Sequence, residues 1–316
     1  MLKFLLVLVF IILIGLAISS FVIVRDIERE FPPIGEFKAI NNAKLHFVDT
    51  GPVGDDAAPA IVFLHGASGN LRDPMPVYKD RLSKDFRLIF LDRPGQGYSE
   101  PFDGSNNPKA QARSISYLLK ELGVDEAIVV GHSFGGVVTA AFGVLHPQQT
   151  AGLVFLAPVS HPWGTGVDWH YDLGNMPVLG WLFSRLIIPT AGSLVYPNAI
   201  QNVFDPDPMP LDYKETSGTR LALRPSNFHE NAKDVARVEA HVSEFHHRYR
   251  EIAAPTVIFH GDQDDIVSLE IHSINGLSKD IGGSKLIILE GAGHKPDYVA
   301  ADQIEAEIRR IASLAD

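Results

Sequence analysis

The feature that most constrains this chain is a recurring pair of signals. A short, almost wholly apolar run is followed by a longer stretch with polar residues at helical spacing. Apolar runs fall at Ala60–Gly66 (AIVFLHG), Arg87–Asp92 (RLIFLD), Glu126–Gly131 (EAIVVG), Ala151–Pro158 (AGLVFLAP), Ala254–Gly261 (APTVIFHG) and within Ser284–His294 (SKLIILEGAGH). A strand with one wet face would alternate apolar and polar residues. These do not, so they predict strands buried on both faces. The stretches VYKDRLSKDF, AQARSISYLLKELGV, GGVVTAAFGVLHP and DQIEAEIRRIASLAD predict helices, the second stopped by Gly123. Strands alternating with helices predict an α/β fold, with a mostly parallel central sheet and helices on both faces. AKLHFVDTG, Ala43–Gly51, adds an earlier strand.

The alternation breaks once. From Val159 to Arg250 the chain is rich in Pro, Gly, Trp, Tyr and His, with helical patches and no buried-strand signal. The expected organisation is therefore a first core part at 40–158, a mainly helical cap insertion at 159–250, and a second core part at 251–316. Before the core, Phe4–Val24 (FLLVLVFIILIGLAISSFVIV) carries no charge. At about 1.5 Å per residue it reaches about 30 Å, the thickness of a bilayer's hydrocarbon core. Residues 1–24 are expected to be a single-pass anchor and 25–39 a linker. A cleaved signal peptide is the alternative. Its apolar core usually runs about 7–15 residues, whereas this run continues past the poor cleavage site at Ala17–Ser19. Lys3 on one side and Arg25 and Arg29 on the other leave orientation open. A short leading segment before a large domain favours a domain on the outer (periplasmic or extracellular) face.

Composition removes several functions. The formal net charge is -11 and there is no basic run, so nucleic acid is not an expected partner. The chain has no cysteine, which excludes thiolate catalysis and Cys-ligated zinc. Oligomeric state is not legible.

The chemistry begins at Gly131-His132-Ser133-Phe134-Gly135, a G-x-S-x-G between an expected strand and an expected helix. A serine on such a corner is held in a strained turn with its oxygen exposed above the sheet. The following helix aims its first N–H groups at the same place. A plain helix-capping serine would account for Ser133 but not for the glycines around it. A nucleophilic serine needs a base, and His294 in EGAGHKP follows the last expected strand. The base needs an orienting carboxylate. Asp264 in FHGDQDDIVS is the first choice, with Asp265 and Asp262 behind it. The chain order Ser, Asp, His is the one that accompanies this elbow. Oxyanion donors are expected from the backbone N–H groups of Ala67, in LHGASGN, and Phe134.

Together FLHGASGN, LDRPGQGYSE, VGHSFGG, FHGDQDDIV and EGAGHKP resemble the serine-nucleophile α/β-hydrolase superfamily, from about Ile40 to Ile311 apart from the insertion. The resemblance implies an α/β-hydrolase fold with a cap. It places the G-x-x-D-x-x-V pattern on Gly261, Asp264 and Val267, and gives LDRPGQGYSE a structural role. Haloalkane dehalogenases and epoxide hydrolases of this fold use an aspartate where this elbow has Ser133. HGASG also lacks the His-Gly-Gly-Gly of many lipases and the His-Gly-Gly-Pro-Gly of prolyl aminopeptidases.

The expected activity is ester or related acyl hydrolysis through an acyl-enzyme, with a small or lipid-like acyl substrate and no cofactor. A carbon–carbon bond hydrolase, a perhydrolase or acyltransferase, and a non-catalytic ligand receptor are the alternatives. Trp163, Trp169, Tyr171, Trp181 and Phe183 could line an acyl pocket or simply pack the cap. His65, Trp163 and Trp169 are the candidate substrate contacts. His161, His170, His246 and His247 lack a visible third and fourth ligand in sequence, so no metal site is expected.

Overall fold

The computed structural model describes residues 1–40, 42–53 and 58–314. Eight strands form one sheet: β1 (Glu36–Ile40), β2 (Ala43–Asp49), β3 (Ala60–Leu64), β4 (Leu88–Leu91), β5 (Ala127–His132), β6 (Thr150–Leu156), β7 (Thr256–Gly261) and β8 (Lys285–Leu289). Their order is β1-β2-β4-β3-β5-β6-β7-β8. β1, β2 and β4 pair antiparallel, and every pair from β4–β3 to β7–β8 is parallel. All residues of β3, β4, β5, β6 and β7 are buried, as their unbroken apolar runs require.

Side chains alternate between two cores. Val62, Leu64, Val129, Leu153 and Phe155 meet Ile115, Leu118, Val138 and Phe142 of α3 (Pro108–Glu121) and α4 (Phe134–Leu145). Ile61, Phe63, Ile128, Val130 and Val154 meet Tyr78 and Leu82 of α2 (Met75–Leu82), and Ile304, Ile308 and Ile311 of the closing helix. The strand period of two thus feeds both faces of one sheet.

Between β6 and β7 the chain is helical, with α5 (Trp169–Asn175), α6 (Leu179–Leu186), α7 (Ser193–Phe204) and α8 (Pro225–Phe245). The closing helix is α9 (Ala301–Ala312). Among the described residues one helix, α1 (Leu2–Glu30), is by itself long and apolar enough to cross a membrane, and α6 with the run Ile188–Phe204 reaches that length only as a bent pair. α1 runs past the expected anchor boundary. Residues 25–30, expected as linker, continue it because Asp26 and Arg29 pair at 3.6 Å and Ile27 is buried with Phe31 and Leu221. The rest of the expected linker contains all of β1 but its last residue, Ile40. The strand's mostly exposed edge position explains why no buried-strand pattern marks it.

Candidate active site

Four loops meet at the carboxyl edge of the parallel strands, where ligands of open α/β sheets bind. Ser133 follows β5 and starts α4 with φ 53° and ψ -118°. That backbone region costs about 1–3 kcal/mol for a residue with a side chain and needs surrounding support. The Ser133 N–H donates to Leu156 O, and its carbonyl accepts from Gly136 and Val159 N–H, each at 2.9 Å. The neighbouring glycines are required by space. A Cβ on Gly131 would lie 2.1 Å from Thr139 Oγ1, and one on Gly135 2.4 Å from Leu64 O. The elbow is enclosed, with Ser133 8% exposed.

His294 follows β8, and its Nδ1 is 2.7 Å from Asp264 Oδ2. The other Asp264 oxygen, Oδ1, accepts from Ile266 and Val267 N–H at 2.9 Å. His260 Nε2 lies 3.2 Å from Asp264 Oδ2. Burial pushes the Asp264 carboxyl up, but His294, His260 and the Val267 N–H outweigh it and hold the group well below the usual carboxylate range. Asp264 is therefore ionised throughout the pH range in which such an enzyme works. Its neighbours face elsewhere: Asp262 accepts from Gly291 N–H at 2.8 Å, and Asp265 is exposed. The His294 carbonyl is 2.8 Å from His132 Nε2. Burial, then Lys295 and His294, push the His132 imidazole well down. It is neutral and donates to that carbonyl, holding the loop.

The loop after β3 lies directly against the elbow. A Cβ on Gly66 would come 3.0 Å from Ser133 Cβ. Among the described residues, neither Ala67 N–H nor Phe134 N–H has an acceptor, so both are available to a ligand oxygen. Ser68 is held in positive φ by Asn231 of α8, whose Oδ1 accepts the Ser68 N–H at 2.8 Å.

The candidate substrate contacts separate. His65 is 1% exposed, its Nδ1 is 2.8 Å from Gly66 O and its Nε2 accepts from Arg93 N–H at 3.0 Å. Both nitrogens are committed to the frame of the loop after β3. Burial, then Arg93, lower its imidazole to about 4. Trp163 is half-buried, its indole N–H bonded to Gly166 O at 2.9 Å and its ring edge-on to His272 at 5.7 Å. Trp169 opens α5 and is 69% exposed, so it faces outward. His161 and His246, far apart in sequence, come together with Asp280, their ligand atoms within 4.8 Å of one another. Asp280 supplies the third group that sequence spacing did not reveal, and it already holds His161 Nε2 at 3.2 Å.

Sequence reasoning missed two buried ion-pair centres. Arg93, fully buried, donates from Nε to His65 O at 3.0 Å, from Nη2 to Gly66 O at 3.1 Å, and from Nη1 to Asp234 Oδ2 of α8 at 2.8 Å. Its guanidinium carbon lies 4.3 Å from the Phe134 ring centroid. Lys295 pairs with Asp73 at 2.9 Å and Asp297 at 3.1 Å. Both cations stand beside motif residues, Asp92 and His294, which was the available signal. Of their acidic partners, Asp297 is two positions from Lys295, but Asp234 and Asp73 lie 141 and 222 positions away, which left no signal for those two. Asp92 itself accepts from Leu71 N–H at 2.7 Å and Tyr98 N–H at 2.8 Å, tying its turn to the β3 loop.

A family model described as alpha/beta hydrolase fold matches residues 59–298. The chain is 28% identical over 238 residues to a 2-hydroxy-6-oxononadienedioate/2-hydroxy-6-oxononatrienedioate hydrolase of Paraburkholderia xenovorans, covering 72% of this chain and 77% of the relative. It is 28% identical over 303 residues to a 2-hydroxymuconate semialdehyde hydrolase of Pseudomonas putida, covering 91% and 97%. Among solved structures, an esterase from Exiguobacterium antarcticum superposes with TM-score 0.66 at 17% identity, covering 89% of this chain and 99% of that one. An epoxide hydrolase superposes with TM-score 0.68 at 18% identity, covering 89% and 99%. These two likenesses concern the fold.

Proposed function

The chain belongs to the α/β-hydrolase family, and on that premise we propose that it is a serine hydrolase cleaving an acyl bond through Ser133, His294 and Asp264. The observation that carries the reading is the 2.7 Å bond from His294 Nδ1 to an ionised, buried Asp264. Ser133 Oγ attacks the carbonyl carbon while His294 Nε2 takes its proton. Negative charge gathers on the former carbonyl oxygen, facing the Ala67 and Phe134 N–H groups. The bond to the leaving alcohol breaks as His294 returns the proton to it, leaving an acyl-enzyme. Water, deprotonated by His294, attacks that ester, and the acid departs as Ser133 regains its proton. Loss of one oxyanion donor would lower turnover about 100- to 1000-fold. Asp264 fixes the imidazole tautomer and faces the imidazolium that forms. The helical insertion acts as the cap.

A second reading has support from the curated relatives, whose names specify hydrolysis of hydroxy-oxo dienoic acids. It would use the same triad to cleave a carbon–carbon bond. A dioate needs cationic partners, and the buried cations beside this site, Arg93 and Lys295, are already paired with Asp234 and with Asp73 and Asp297. That balance favours an uncharged acyl substrate. The test is turnover of p-nitrophenyl esters of increasing chain length, beside a hydroxy-oxo dienoate. The ester reading predicts ester turnover that vanishes in Ser133→Ala. Turnover of the dienoate alone would replace it with the carbon–carbon reading.

The reading extends to α1 as a membrane anchor with the catalytic domain on the outer face. Its support is the apolar, exposed run from Phe4 to Ile14 and the packing of its later turns on the cap.

A further inference from the structure

The register of α1 against the cap carries a consequence for substrate entry. α1 packs on α6 and on the turn Ile188–Gly192 that joins α6 to α7. The face it uses is Leu16, Ser19, Ser20, Ile23, Val24 and Ile27, at helical spacing. Ser19 Oγ lies 3.4 Å from Thr190 Oγ1. Farther along, Glu28 pairs with Arg224 at 3.1 Å and Glu30 pairs with Arg220. The last charge-free residue of the run is Val24, so Arg25 marks the edge of the hydrocarbon layer. Ser19 stands six residues deeper, about 9 Å along the axis and about 8 Å below the edge at an ordinary tilt. A cap segment that touches Ser19 must lie at the same depth, which is that of an interfacial helix.

Its surface fits that depth. From Val178 to Phe204 the one charged side chain is Arg185, and its guanidinium carbon lies 4.2 Å from the Trp181 ring centroid. Val178, Leu179, Trp181, Leu182, Leu194 and Val195 are exposed, Trp181 at 46% and Leu194 at 80%. α6 and the run Ile188–Phe204 meet at a 49° bend; α6 alone, at 8 residues, is too short to cross a bilayer, and the bent pair together has the length and apolarity of a broken span or a re-entrant segment. Both ends of the segment return to the active-site loops. On one side Tyr171 interacts with Ser68 and Asn231. On the other, Asp207 just beyond α7 accepts the Gly293 N–H at 2.7 Å, beside His294.

We propose that Leu179–Phe204 is embedded in the same leaflet as the last turns of α1, so that the acyl substrate reaches Ser133 from the lipid and not from water. The occupant of this apolar face is the bilayer, and the substrate class is a membrane-partitioned acyl ester. The inference rests on α1 being an anchor and on Ser133 being the nucleophile.

The test uses the full chain in phosphatidylcholine–phosphatidylglycerol vesicles. Three single-tryptophan forms are needed. One keeps Trp181, with Trp163 and Trp169 changed to Phe. The others change all three to Phe and add Leu194→Trp or Phe10→Trp. Fluorescence is quenched by brominated lipid or by iodide in the buffer. Trp181 and the Leu194→Trp probe should respond to the brominated lipid, with iodide quenching about fivefold below that of a free tryptophan amide. The proposal is overturned if the Phe10→Trp probe responds to lipid while the other two respond to iodide. It is also overturned if the two cap probes escape both quenchers, as under a second copy of the chain. A Phe10→Trp probe that escapes the lipid label removes the anchor together with the proposal. Labelling of Ser133 by a fluorophosphonate in the same vesicles reports on the nucleophile separately.

Discussion

Ser133 is held at φ 53° by three backbone hydrogen bonds, and Gly131 and Gly135 leave room for nothing larger. The strain is tolerated because the strand, the helix and the β3 loop close on it together. The role proposed for Asp264 is separate, and a substitution can isolate it. Asp264→Asn keeps the shape but favours the wrong imidazole tautomer, so kcat for an ester is expected to fall about 10⁴-fold with little change in KM. Steady-state kinetics beside Ser133→Ala checks this, and near-normal kcat would remove Asp264 from the mechanism. Much of this constellation was legible in the chain. Glycines mark the elbow, and the resemblance's G-x-x-D-x-x-V pattern, on Gly261, Asp264 and Val267, pointed to Asp264 among three acids. The burial of the candidate substrate contacts was not legible, because it depends on where distant segments fold. His65 turns inward onto Gly66 and Arg93, and Trp169 turns out.

At the scale of elements, the Arg93–Asp234 pair joins the loop after β4 to α8 and frames the loop after β3 through His65 and Gly66. Burial pushes the Asp234 carboxyl up to about 6 against the pull of Arg93. The folded chain therefore holds this proton more tightly than the unfolded one. The contribution of Asp234 to stability is greatest below pH 4 and falls as pH rises to about 6. The unfolding free energy of wild type minus that of Asp234→Asn should decline across that window and level off above it. Denaturant titrations in detergent at pH 4, 5, 6 and 7 check this, and a difference that rises with pH would contradict it. Removing Arg93 instead strands a buried carboxylate, at a cost of about 3–5 kcal/mol. No sequence pattern announces such a pair, since its members stand on different elements. The continuous strands were legible for the opposite reason, because each carries its whole burial signal in its own residues. β1 and the last turns of α1 lacked that signal and appeared as linker.

At the scale of the molecule, one chain combines an α/β-hydrolase core, a helical insertion between β6 and β7 and a long apolar helix packed on that insertion. Ile27 and Phe31 bury against Leu221, and Tyr98 Oη donates to Phe31 O at 2.6 Å, so the end of α1 is integrated with the folded domain. Cleavage after Ser19 would remove Leu16 and Ser19 from the face that α1 packs on the helical insertion. Intact-mass measurement of the protein extracted from membranes should therefore find residues 1–24 retained, and a mass beginning near Ser20 would contradict the anchor. Because the chain has no cysteine, one introduced at exposed Leu211 gives a clean topology probe. An outer catalytic domain predicts its labelling by an impermeant maleimide on intact cells. The central claim, however, is the nucleophile. Full-length protein treated with a fluorophosphonate and read by peptide mass spectrometry should carry one adduct on Ser133. That adduct should be absent in Ser133→Ala and slow to form in His294→Ala. An unmodified Ser133 in folded protein that still turns over esters would contradict the account.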